Sequence, residues 1–228
     1  MNRRNLFAVA AFAGVGLAVI LGSWAAADEP KADKEAKQPD QQTQLPPGMT
    51  EDDMKAYMEA AAPGKMHKLL AEGAGEWEAK STFWMAPGAD PATSEGSSKG
   101  TMIMGGRFMK LEYTGGMVGM PEKFTGLGLY GYDNVSKKFE SNWIDNSGTG
   151  MMHGTGDLSE DGKVLTWKYT FNDPIAKKMI TMREVETLTG PGARKLEMYG
   201  PDKAGKEYKI MQIEFTRKGD KPDASAKE

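Results

Sequence analysis

The side chains best suited to chemistry are few and scattered along the chain. His67 and His153 are the two histidines, and there is no cysteine. These counts exclude a multi-histidine metal site, a thiol nucleophile, a cysteine-ligated zinc or iron–sulfur centre and a lipid anchor on cysteine. Methionine is frequent, at 17 residues. Met102-x-Met104, Met117-x-x-Met120 and Met151-Met152-His153 have the thioether spacing of cuprous sites, where a soft ion meets soft sulfur. Methionine more often serves as adaptable core or pocket lining. The chain is read that way, with no metal and no cofactor expected. Haem would need His67 or His153 as its axial ligand, and no attachment motif accompanies either.

Acid–base and nucleophilic motifs are equally thin. There is no G-x-S-x-G elbow, no H-E-x-x-H pair and no P-loop. Asp133 and Asp145 could face one another as paired carboxylates. An Asp followed by Asn, as at Asp133-Asn134, more often builds a turn through side-chain hydrogen bonds, and Asp145 closes its own run in the same manner. Gly126-x-Gly128-x-x-Gly131 spells a dinucleotide fingerprint but opens no helix. Its glycines are expected instead to let a strand bend, or to make room for an inward aromatic ring or a ligand. No catalytic residue is assigned, and an enzyme working inside the fold is the lesser expectation.

Binding has better material. Tyr130, Tyr132, Phe139 and Trp143 share one parity across the segment from Phe124 to Asp145. Arg183 and Arg217 are the cations placed among strand residues, and an inward arginine could hold a carboxylate by a bidentate pair. Tyr132, Trp143, Arg183 and Arg217 are therefore the expected ligand-binding residues. The competing reading for Arg217 is that it stacks on Trp77 and closes one end of the fold.

These residues must be carried by strands. From Gly75 onward, side-chain character alternates with period two: Trp77, Ala79, Ser81 and Phe83 on one face, then VLTWKYTF at Val164 to Phe171. Gly-, Pro- and Asn-containing breaks recur at short intervals, among them Gly105-Gly106, Asp133-Asn134-Val135-Ser136, Ser159-Glu160-Asp161-Gly162 and Pro201 to Gly205. The expected architecture is mainly β, an antiparallel up-and-down barrel of about ten strands. A short helical lead-in precedes it. Thr50 and Asp53 form a capping arrangement, and Pro63 is expected to open a second helix carrying Met66, Leu69 and Leu70 inward. A barrel of this size encloses either a small ligand or its own side chains.

The G-x-W at Gly75-Glu76-Trp77, with an arginine late in the chain, resembles the opening strand of lipocalin-like proteins, in which an arginine packs over that tryptophan. A longer ordered set is more specific. It comprises Pro63-x-x-x-His67-x-x-Leu70, Gly105-Gly106-Arg107-Phe108, Gly126-x-Gly128-x-x-Gly131-Tyr132-Asp133-Asn134, Trp143-Ile144-Asp145, Gly148-Thr149-Gly150 and Phe215-Thr216-Arg217-Lys218. Over about Pro63 to Lys218 this resembles the bacterial family catalogued as domain of unknown function 1579. The resemblance implies a lipocalin-like barrel, often exported, with no established activity.

Outside this region the composition changes. Residues 1–27 read as a signal peptide: Arg3 and Arg4, an apolar run from Leu6 to Gly22, then Ala25-Ala26-Ala27. The Arg-Arg pair faintly resembles a twin-arginine signal. Residues 28–48 hold mixed charge, glutamine and proline and read as a disordered linker; residues 219–228 read as a charged disordered tail. The expected location is periplasmic or secreted, with membrane contact only through the N-terminal segment if it is retained. The net charge of −3 argues against a nucleic-acid partner, which would need clustered Lys and Arg. The expected function is that of an exported barrel binding a small apolar or amphipathic molecule. The alternative is a structural or interaction protein with a filled barrel.

Overall fold

The computed structural model describes residues 45–190 and 192–219. The expected signal peptide, most of the linker and all of the tail beyond Gly219 lie outside the described residues. Two helices lead in: α1, Glu51–Ala61, and α2, Lys65–Ala71. Ten strands follow in order: β1, Gly75–Phe83; β2, Ala92–Ile103; β3, Phe108–Gly115; β4, Phe124–Asp133; β5, Lys138–Asp145; β6, Met152–Leu158; β7, Val164–Asp173; β8, Lys178–Gly190; β9, Ala193–Pro201; and β10, Glu207–Arg217. Each pairs antiparallel with its sequence neighbours, and β1 pairs with β10, so the sheet closes on itself. The expected lipocalin-like architecture is present. Period-two alternation sends Trp77, Ala79 and Ser81 of β1 inward while Glu76, Glu78 and Lys80 stay outside.

Both helix starts follow from local chemistry. At α1 the Asp53 amide donates to Thr50 Oγ1 at 3.1 Å, and the Thr50 amide donates to Asp53 Oδ2 at 2.9 Å. This is the reciprocal capping arrangement that the sequence predicts. At α2 the helix begins two residues later than Pro63 suggests, at Lys65 with Gly64 as its N-cap. The cause is His67, whose Nδ1 accepts the Gly64 amide at 3.0 Å and so plays the part usually given to a glutamate.

Helix α2 packs over one end of the barrel, and two strand turns hold the junction between α1 and α2. Arg107 Nε, from the β2–β3 turn, donates to the Ala61 carbonyl at 3.0 Å. Asn134 Nδ2, from the β4–β5 turn, donates to the Ala60 and Ala62 carbonyls, each at 2.9 Å. The β2–β3 turn is wider than the two-glycine turn expected. Met104, Gly105 and Gly106 all have positive φ, at 50°, 65° and 81°. Arg107 Nη1 also donates to the Met104 carbonyl, so the added residues place its guanidinium between its own turn and the helix linker. Asp133 organises the other turn by accepting the Val135 and Ser136 amides; the Ser136 side chain first, then these amides, hold its carboxyl below the ordinary carboxylate range.

The interior has two packed regions. Beneath α2, Leu70, Phe139, Trp167 and Tyr169 form one cluster. Towards the opposite end, Ala79, Tyr113, Phe124 and Ile213 form another, with Met117 and Met120 of the β3–β4 loop packed on it.

Candidate functional site

The large inward rings sit over glycines on neighbouring positions. A Cβ at Gly126 would come within 2.1 Å of the Trp143 ring, and one at Gly156 within 2.8 Å of the Trp167 ring. A Cβ at Gly154 would meet both Ser141 Oγ, at 2.4 Å, and the Tyr169 ring, at 2.5 Å. Glycine therefore gives the barrel wall the depth to take wide side chains. The G-x-G-x-x-G run is a seat for aromatic rings: Gly128 makes room for Tyr130, and Gly131 for Phe108.

Two cavities remain between these rings. The larger holds ≈190 Å³ and is walled by Phe83, Tyr113, Phe124, Trp143 and Phe215, with the thioethers of Met117, Met152, Met198 and Met211. Ser81, Asp145, Tyr130, Tyr169 and Glu184 bring its polar atoms. The smaller holds ≈100 Å³ beneath α2, among Leu70, Trp77, Met109, Phe139 and Trp167. Leu111, Tyr130, Glu184, Leu196 and Phe215 line both.

Most polar groups around the larger cavity are already engaged. Trp143 Nε1 donates to Asp145 Oδ2 at 2.9 Å, and Asp145 Oδ1 accepts the Ser147 amide. The hydroxyls of Ser81 and Tyr113 lie 3.2 Å apart. Ser141 Oγ donates to the Tyr169 hydroxyl at 3.0 Å, and Tyr130 and Tyr169 interact through their hydroxyls. Burial pushes both phenols far above their ordinary value; the Glu184 and Glu186 carboxyls add to this for Tyr130, and the Tyr130 phenol and then Glu184 for Tyr169.

Glu184 is different. It is 6% exposed, and no hydrogen bond or ion pair reaches its carboxyl among the described residues. Burial, with the Glu186 carboxyl on the same strand face adding to it, raises its pKa to about 8. Glu186 itself is engaged by Arg194 Nη1 at 2.8 Å. Trp167 Nε1 is the second unpaired group: it is buried without a hydrogen-bond partner and its ring lines the smaller cavity beside Glu184.

The four residues expected to bind a ligand are spread over the molecule. Trp143 walls the larger cavity. Tyr132 packs against Phe139 at 4.9 Å between ring centres and edge-to-face on His67 at 6.0 Å, in the region under α2. Arg183 lies on the outer parity of β8. It makes a two-point pair with Glu207, at 3.1 and 2.7 Å, and its guanidinium lies 4.0 Å from the Tyr199 ring centre. Arg217 stacks 4.2 Å from the Trp77 ring centre and donates to the Ala74 carbonyl at 2.6 Å. Arg194, which the sequence reading did not single out, is the arginine that lines a cavity, the smaller one. The histidines diverge: His67 is buried beneath α2, while His153 is exposed and meets Asn142 at 2.6 Å. Met151 and Met104 are exposed, and Met152 faces the cavity, so their sequence spacing does not gather them.

Fold and interior together define a closed, ten-stranded, lipocalin-like barrel with a partly empty interior. The chain belongs to the family described as "Protein of unknown function (DUF1579)", whose model matches residues 62–217. Comparison with curated proteins returns no match. Among solved structures, the chain is similar to that titled "Crystal Structure of Rv2717c from M. tuberculosis", at 14% identity and a TM-score of 0.50, covering 68% of this chain and 99% of that one. The S-type phycobiliprotein lyase CPES from Guillardia theta is similar at 10% identity and a TM-score of 0.48, covering 72% of this chain and 98% of that one. These likenesses concern the fold.

Proposed function

We propose that this protein is an exported carrier or sensor barrel whose larger cavity holds a small apolar or amphipathic molecule. The observation that carries this reading is the ≈190 Å³ space walled by aromatic rings, Trp143 among them, and thioethers. Magnitude limits the occupant. A cavity of ~150 Å³ lined by apolar side chains takes benzene, and sites for drug-sized molecules start at ~300 Å³. The fit is to one ring with a short chain, or to an aliphatic chain of similar bulk. Thioether walls suit such an occupant because methionine adapts its shape to what it contacts.

The filled-barrel alternative has its own support in the other half of the molecule. Beneath α2 the barrel is packed by its own rings, with Phe139 and Trp167 nearly fully buried. The two readings therefore divide the interior, and ligand binding is assigned to the half opposite α2. Native mass spectrometry on protein taken from its own cell tests this. The expected result is an added mass of a small organic molecule that Trp143→Ala reduces or removes. Protein that is consistently empty, and that also fails to take up single-ring probes, would overturn the reading. For export, the expected mature chain begins at Asp28, read from the intact mass of protein recovered from the periplasm or medium. A full-length mass found in the cytoplasm would count against it.

A further inference from the structure

We propose that the ligand of the larger cavity is an organic ammonium ion, its apolar part held by the aromatic and thioether walls and its charged nitrogen held by Glu184. This rests on the ligand-binding reading and names the chemical class within it.

Three observations converge. First, Glu184 is more than nine-tenths buried, lines both cavities and has no hydrogen-bond or ion-pair partner among the described residues. An ionised carboxylate in such a place is costly unless a cation joins it. Second, the larger cavity contains two carboxyls, Glu184 and Asp145, and neither lysine nor arginine. Asp145 already accepts from Trp143 and Ser147, so Glu184 is the free acceptor. A fatty acid or other carboxylate would find no cation there to receive it. Third, rings surround the same space, and their faces attract ammonium ions, most strongly where water is excluded.

The charged groups around Glu184 agree with this. On β8, Glu186 is paired with Arg194 of β9. Tyr130 of β4 and Tyr169 of β7 stay protonated in the neutral range. Asp145 of β5 adds negative charge at the larger cavity. Lys163 reaches only the smaller cavity, as does Arg194. Nothing else charged from these elements lines the larger space.

Proton linkage makes the class testable. With its pKa near 8, the empty carboxyl is mostly protonated at pH 7. Binding an ammonium ion forms a carboxylate–ammonium pair and releases the carboxyl proton to solvent. Affinity should rise about tenfold per pH unit below pH 8, because only the ionised fraction is competent, and should level off above it. A neutral ligand that accepts a hydrogen bond from the acid has the opposite dependence: flat below pH 8 and weaker above.

The experiment is calorimetric titration of the folded protein with three probes of like shape: 2-phenylethylamine, 2-phenylethanol and 3-phenylpropanoate. Each is run from pH 6 to 9, in buffers of differing ionisation enthalpy at pH 7, on wild type and on Glu184→Gln. The expected result is tightest binding of the amine, release of close to one proton at pH 7, and a loss of at least about tenfold at pH 8 in Glu184→Gln, with the pH slope abolished. If the alcohol or the carboxylate binds tightest, the ammonium assignment falls and the ligand cavity stands. If the amine binds equally well to Glu184→Gln, the assignment of Glu184 falls. If none of the three binds at millimolar concentration, both this proposal and the single-ring cavity reading fall.

Discussion

A carboxyl group buried among rings and without a cation keeps its proton, and the folded state is weakened wherever it must lose it. Between the ordinary glutamate value of 4.5 and the folded value of Glu184 near 8, the native state binds the proton and the unfolded state does not. Stability therefore falls as pH rises across that window, by at most about 1.4 kcal/mol per unit. Glu184→Gln removes this dependence. The variant is expected to match wild type in thermal midpoint near pH 4.5 and to exceed it at pH 8, as measured by calorimetry across that range. The signal for Glu184 was legible in the strand it sits on: it shares parity with Ile180 and Met182, while Arg183 takes the other face. Parity alone does not say which face turns inward; closure of the barrel puts Met182 and Glu184 inside and so turns Arg183 outward. What the sequence could not show is that no partner would meet the acid inside, because partners come from strands distant along the chain.

At the scale of elements, turns and glycines do positioning work that their composition only half reveals. The Asp133-Asn134 turn was legible as a turn, since an Asp accepting amides two and three residues on is a local arrangement. That Asn134 also reaches back more than seventy residues to the helix linker was not, because nothing local requires it. Replacing both Arg107 and Asn134 by Ala removes three hydrogen bonds to residues 60–62. At about 0.5–1.5 kcal/mol each, the expected result is amide hydrogen exchange in α2 faster by about tenfold or more, with the strands of β7 and β8 little changed. Gly126 makes a complementary case. Its Cβ would stand 2.1 Å from the Trp143 ring, so Gly126→Ala must push that ring into the larger cavity or distort β4. Overpacking of this kind costs about 1–3 kcal/mol. A lower denaturant midpoint with a changed near-ultraviolet tryptophan spectrum is expected, and an unchanged spectrum would show that the wall yields instead.

For the whole molecule, the fold was legible because most strands announce themselves by period-two alternation and every turn by Gly, Pro, Asn or Asp; the first half of β2, residues 92–98, was not, because its Gly- and Ser-rich composition reads as loop and only pairing with β1 makes it a strand. The candidate site was not, because a cavity is what ten strands leave unfilled, and that depends on closure. Trp143 could be grouped with Phe139 by parity; that their face turns inward, and that space lies beside Trp143, could not be read. Closure itself rests on one seam. Nine of the ten strand pairings join sequence neighbours, and only β1 with β10 does not. Arg217 spans that seam, bonding to Ala74 across 143 positions of chain while covering Trp77. The seam has a consequence in time. Hairpins form early because their loops are short, whereas joining ends this far apart carries the largest loop-closure entropy, growing by ~0.6 kcal/mol with each doubling of length. Refolding should therefore pass through an open, ten-stranded ribbon with β1 and β10 as bare edges, and such edges recruit other chains. Arg217→Ala, by slowing the final zip, should lengthen that interval, so that yield on refolding falls with protein concentration more steeply than in wild type. A barrel with no edges once formed is most exposed to its own kind in the moments before its first and last strands meet.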